Sequence, residues 1–171
     1  AAATSADATG GIALGSSADV TGVEGIAIGS ASKAYGTGAI ALGTEVEISD
    51  TKATGVGNEI AIAADSAEVQ AYGSDLTNSA GSHNSLFGTE VLNTSGSDNA
   101  LIGGEITNKS GSFNILQGVM VENSGSKNIL QGNDVFNYYS AGNAGQSNIL
   151  TGNTIANTGS FNILQGNGVE N

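Results

Sequence analysis

Residues 112–132 read SFNILQGVMVENSGSKNILQG, and the phrase NILQG stands in them twice, at 114–118 and at 128–132. It returns at 162–166, with the variant NILTG at 148–152. Working outward, a four-residue core ending in a small residue recurs along the chain. The cores begin at Ile12, Ile26, Ile40, Ile60, Gln70, Ser85, Ala100, Ile115, Ile129, Ile149 and Ile163. Their spacings are 14, 14, 20, 10, 15, 15, 15, 14, 20 and 14. Each closes on a small residue: Gly15, Gly29, Gly43, Ala63, Gly73, Gly88, Gly103, Gly118, Gly132, Gly152 and Gly166. Repetition on this scale marks a stacked architecture.

A coil of 14 residues cannot hold a strand and a helix, but it holds two short strands and two tight turns. The predicted fold is therefore all-β, a single-chain parallel β-solenoid or β-roll of about eleven coils of 14–15 residues. Coils ~4.8 Å apart make a rod on the order of 50 Å long. A second element follows the glycine in later coils: Val91/Asn93, Ile106/Asn108, Val121/Asn123, Val135/Asn137, Ile155/Asn157 and Val169/Asn171. A further column precedes the core at Asn84, Asn99, Asn114, Asn128, Asn148 and Asn162. Stacked asparagines bond to one another and to turn backbone.

Alternate residues of a strand point to opposite faces. The first column of the core holds Ile12, Ile26, Ile40, Ile115, Ile129, Ile149 and Ile163. The second begins with alanines and continues as Leu86, Leu101, Leu116, Leu130, Leu150 and Leu164. The third runs from Leu14 and Ile28 through Tyr72, Phe87 and Ile102 to Gln117, Gln131 and Gln165. Columns one and three share a face; column two takes the other. One thin interior accommodates one face only, so the other is an apolar stripe that a soluble monomer would not leave open. Self-association along this strand, in a closed cyclic oligomer, is the expectation. Neither the number of chains nor the inward face follows from the spacing. The change from Ala to Leu in column two, matched by large residues giving way to Gln in column three, predicts an exchange of volume between interior and interface near residues 72 to 102.

The chain has 171 residues, 27 of them glycine, with no proline or cysteine and a formal net charge of -12. A surface this acidic repels nucleic acid and anionic lipid. Zero cysteine excludes disulfides and thiolate metal sites. No apolar run is long enough to insert in a bilayer as a helix. The start, AAATSADATG, reads as part of a longer protein.

The motifs GIALGSSA (11–18), GIAIGSASKAYG (25–36) and AIALGTEV (39–46) resemble the head repeats of trimeric autotransporter adhesins, the YadA type. The resemblance covers 11–63 well and is looser from 70 to 171, where ILQG replaces the AIG-like core. It implies one head domain over 1–171, with AIG-type coils at 11–63, an irregular transition at 64–84 and N-x-L-x-G coils at 85–171. It also implies left-handed winding, a homotrimer, and a place on the bacterial cell surface, anchored in the outer membrane through parts outside this segment. The implied role is attachment to host matrix protein, glycan, cells or surfaces.

Two long spacings suggest loops inserted within 44–59 and 133–147. The second carries Phe136, Tyr138 and Tyr139, the candidate ligand-binding residues, since exposed aromatics make good contacts. His83 is the one histidine and sits in a turn, which argues against a metal site, and no cofactor is expected. No histidine stands in a catalytic pattern with Ser and Asp, so the chain is not expected to be an enzyme. The rival readings are a phage tail-fibre-like receptor-binding rod and a carbohydrate-processing β-solenoid enzyme.

Overall fold

The computed structural model of the chain describes residues 5–6, 8–108, 115–117, 119–120, 122–123, 129–131, 134, 136, 149–151, 154–156, 163–165 and 167–168. The described residues form a parallel β-solenoid with coils of roughly 14 residues and contain no helix. Each coil has a first strand and a second strand. The former include Ile12–Leu14, Ile26–Ile28, Ser85–Thr89 and Ala100–Ile102; the latter include Asp19–Val20, Lys33–Ala34, Val91–Asn93 and Ile106–Asn108. In the three central coils the pair runs on as one strand with a corner inside it: Ile40–Ile48, Thr54–Ile62 and Gln70–Asn78. About seven turns have both strands described, up to Asn108. First strands then continue in the same register through Ile115, Ile129, Ile149 and Ile163.

Register corrects one reading. The core placed at Ile60 is not a first strand. Ile40 pairs with Thr54, and Thr54 with Gln70, whereas Ile60 stacks on Val46 and Leu76 in the second strand. The spacings there are 14 and 16 rather than 20 and 10, so no six-residue loop exists within 44–59. The physical reason is a volume trade. Thr54-Gly55-Val56-Gly57 looks too poor in apolar side chains for a core strand. However, the interior beside Gly55 is already filled: a Cβ there would meet Ile48 Cδ1 at 2.7 Å and Val46 Cγ1 at 3.0 Å.

Column two of the first strand is the interior. Ala27, Ala41, Ala71, Leu86, Leu101, Leu116 and Leu130 are all fully buried. Leu150 and Leu164 keep the register, but their side chains lie outside the described residues. The opposite wall comes from the second strand, through Val46, Ile60, Leu76 and Val91 and through a second column that changes from Ile48 and Ile62 to Asn78 and Asn93. The expected exchange of volume between interior and interface does not take place; the compensation lies wholly inside the rod. Leucine replaces alanine on one wall where asparagine replaces isoleucine on the other. Column three lies outside throughout and has no part in it.

The new asparagines are satisfied. Asn78 Oδ1 accepts from the amides of Asn84 and Asn93, and Asn84 Nδ2 also donates to the carbonyls of Gly81 (3.1 Å) and Gly96 (2.8 Å). Asn84 Oδ1 in turn accepts from the backbone N–H of Asn99 at 3.0 Å. Buried amides bonded to one another and to turn carbonyls fix the spacing of the coils as apolar contacts would not.

Each corner turns on a left-handed residue. Ser17, Ala31, Glu45, Glu59, Asp75, Glu90 and Glu105 stack at one corner, with φ between 53° and 58°. Glu24, Lys52, Glu68, His83 and Asp98 stack at the other. The glycine that ends each first strand has a different reason. A Cβ on Gly43 would overlap the carbonyl oxygen of Gly57, and one on Gly57 that of Gly73.

Candidate functional site

Columns one and three of the first strand form one continuous outer face. Ile12 is 53% and Leu14 62% exposed at one end, and Ile163 77% at the other. The apolar residues shift sideways along the rod. Both columns are apolar through Ile40 and Leu42; column three carries the face through Val56, Tyr72, Phe87 and Ile102; column one resumes with Ile115, Ile129, Ile149 and Ile163. Tyr72 and Phe87 stack with ring centroids 5.4 Å apart, bridging the place where column one is polar. Of the predicted column residues, the isoleucines therefore face outward and Leu86, Leu101, Leu116 and Leu130 face inward.

The outer face of the second strand is different in kind. Asp19, Lys33 and Glu47 stack along it, with Lys33 Nζ 2.9 Å from Glu47 Oε2. That bond, and the Glu47 charge, raise the Lys33 pKa. The rod is thus amphipathic across its width, one broad face apolar and the other polar.

The corners hold most of the remaining charge. Glu45, Glu59, Asp75, Glu90 and Glu105 occupy one position in five successive coils. A hydrogen bond with Asp75, and then the Asp75 charge, push the Glu59 carboxyl above its ordinary range. At the other corner Lys52 Nζ lies 3.9 Å from Glu68. His83 sits between two acids, with Nε2 3.6 Å from Glu68 Oε2 and Nδ1 3.5 Å from Asp98 Oδ1. Among the described residues, no three His, Cys, Asp or Glu side chains gather as metal ligands.

Asp50 is a buried carboxylate. Its Oδ1 accepts the Thr51 N–H at 2.7 Å, and its Oδ2 has no partner among the described residues. Burial raises its pKa above the ordinary 3.8, partly offset by that hydrogen bond. A raised folded pKa favours the protonated form, so its stabilising effect is complete below pH 3.8 and is lost as pH rises through the folded value. Asp50→Asn is expected to raise stability at pH 7 by about 1 kcal/mol, because the neutral amide has no charge to desolvate. Thermal melts from pH 3 to 7 check this, and the gap between variant and parent should open with rising pH.

Among the described residues, two grooves mark the polar side. One, of 270 Å³, is lined by Glu47, Ser49, Ala61, Ala63, Thr77 and Ser79 among others, and forms where outer side chains shrink to alanine. The second, of 200 Å³, is lined by Glu105, Thr107, Met120, Glu122 and Phe136. Phe136 is half-buried there, whereas Tyr138 and Tyr139 lie outside the described residues. Sequence reading found Phe136 by its rarity but not its neighbours, which come from two preceding coils and share no motif with it.

Fold and faces together define a class: a parallel β-solenoid with one apolar and one polar outer face. No protein-family model and no curated protein matches the chain.

Proposed function

We propose that this chain is an adhesive and structural head module of a trimeric bacterial surface protein. Three left-handed rolls pack the outer faces of their first strands around a common axis. The observation that carries this reading is the apolar face from Ile12 to Ile163, with residues such as Leu14 and Ile102 at 62% and 43% exposure. A contiguous stripe of this kind exceeds what soluble monomers carry. A single sticky face per chain favours a closed ring, because the charged second-strand face stays wet and stops further addition. The head-repeat motifs at 11–46 support three as the number and attachment to host matrix or cell surfaces as the task.

Ile28→Lys and Ile102→Lys test it. Both side chains project outward from column three, so the coil itself is expected to persist. The variants are expected to fall to a single-chain mass and to lose at least about tenfold in retention on immobilised extracellular-matrix protein, through lost multivalency. Unchanged mass and retention in both would overturn the reading.

A further inference from the structure

We propose that the groove bounded by Phe136, Met120, Thr107, Glu105 and Glu122 is a receptor for an arginine side chain presented by a partner protein. The proposal deepens the attachment role above and rests on it only in taking the partner to be a protein. Three consecutive coils build the groove. Thr107 pairs with Glu122 across the sheet, and Phe136 occupies the same outward position one coil further on. Its backbone N–H donates to Ile155 O at 2.8 Å, which holds it in the stack. Met120 and Glu105 come from the adjoining corner, where Met120 N–H donates to Gly104 O at 3.3 Å.

The chemistry of this wall selects its ligand. An aromatic ring and a thioether form the apolar part, and two carboxylates and a hydroxyl form the polar part; no basic residue lines it among the described residues. A guanidinium is the planar cation that stacks on a ring while donating to carboxylates. The volume of 200 Å³ is small for a free ligand, which usually needs about 300 Å³ or more, but suits one side chain. The corner column Glu45, Glu59, Asp75, Glu90 and Glu105 meets Met120 and continues with Asp134, so negative charge borders the groove along this corner. Such a field draws in a basic segment and makes its capture sensitive to salt.

The test titrates the intact chain into fluorescein-labelled hexa-arginine and reads anisotropy at two salt concentrations. The parent is expected to bind. Phe136→Leu keeps apolar bulk but removes the ring, and Glu122→Gln removes one charge on the outer face; each is expected to weaken binding by about five- to tenfold. Glu24→Gln, the same charge change at the opposite corner, is expected to change it by less than about twofold. Circular dichroism and Tm of both groove variants establish that they fold, and Glu122→Gln decides the matter should Phe136→Leu not. Equal loss in Glu24→Gln and Glu122→Gln overturns the site in favour of bulk charge. Binding of a labelled neutral oligosaccharide in place of hexa-arginine overturns it in favour of a glycan. A monomer that still captures hexa-arginine refutes the assembly alone; a trimer that does not refutes the groove alone.

Discussion

Gly57→Ala is expected to destabilise the protein by about 3 kcal/mol or more, while Gly55→Ala in the same strand costs less, about 1–2 kcal/mol. The two glycines lie two residues apart, and ordinary propensity would treat them alike. At Gly57, with φ 147°, the new Cβ would run into the carbonyl oxygen of Gly73 in the next coil. That oxygen is backbone, set by the coil spacing, and cannot step aside without parting two coils. At Gly55 the first obstacle is Ile48 Cδ1 at 2.7 Å, the far end of a side chain that can change rotamer. The difference therefore measures how rigid the stack is. Because each coil depends on its neighbours, the loss at Gly57 should spread along the rod. Urea unfolding at matched chain concentration checks it, since any assembly makes stability concentration-dependent. Similar midpoints for the two variants would mean that the coils are not held at this spacing.

Asn84→Ala is the second large effect, with an expected cost of roughly 2–4 kcal/mol. Asn84 is buried, donates to Asn78 Oδ1, Gly81 O and Gly96 O, and accepts from Asn99. Removing its amide takes a partner from the Asn99 N–H inside the rod. Valine is expected to do no better, although Val69 holds the same place one coil earlier. The opposite column has by then changed to Asn78 and Asn93, and an apolar residue at 84 takes one donor from Asn78 Oδ1 and the side-chain acceptor from the Asn99 N–H. Chemical unfolding of Asn84→Ala and Asn84→Val checks this, and a valine variant as stable as the parent would contradict the polar ladder.

The stacking itself was legible because a glycine at a fixed place is a steric necessity that recurs once per coil. That rule found the strand at Gln70 through Gly73, despite its polar first residue. It failed at 54–57, where Gly55 made the strand look empty and Ile60-Ala61-Ile62 imitated a core. The missing information was tertiary: Ile48, from the coil before, fills the space. Alternation showed that columns one and three share a face. The glutamines at 117, 131 and 165 marked column three as the outer one, a signal that was present but not used to choose the face. The left-handed corner residues had only a weak signature: Asp75, His83 and Asp98 are of types that tolerate φ above zero, but Glu, Lys and Met at the same positions are not. Phe136 was found, but Glu105, Met120 and Glu122 meet it only through coil geometry.

In the proposed assembly, further copies of the chain cover the face that runs from Ile12 to Ile163. Light scattering on the intact chain across micromolar concentrations measures that directly. Three times the chain mass, unchanged on dilution, is the predicted result. A single-chain mass at every concentration would contradict it.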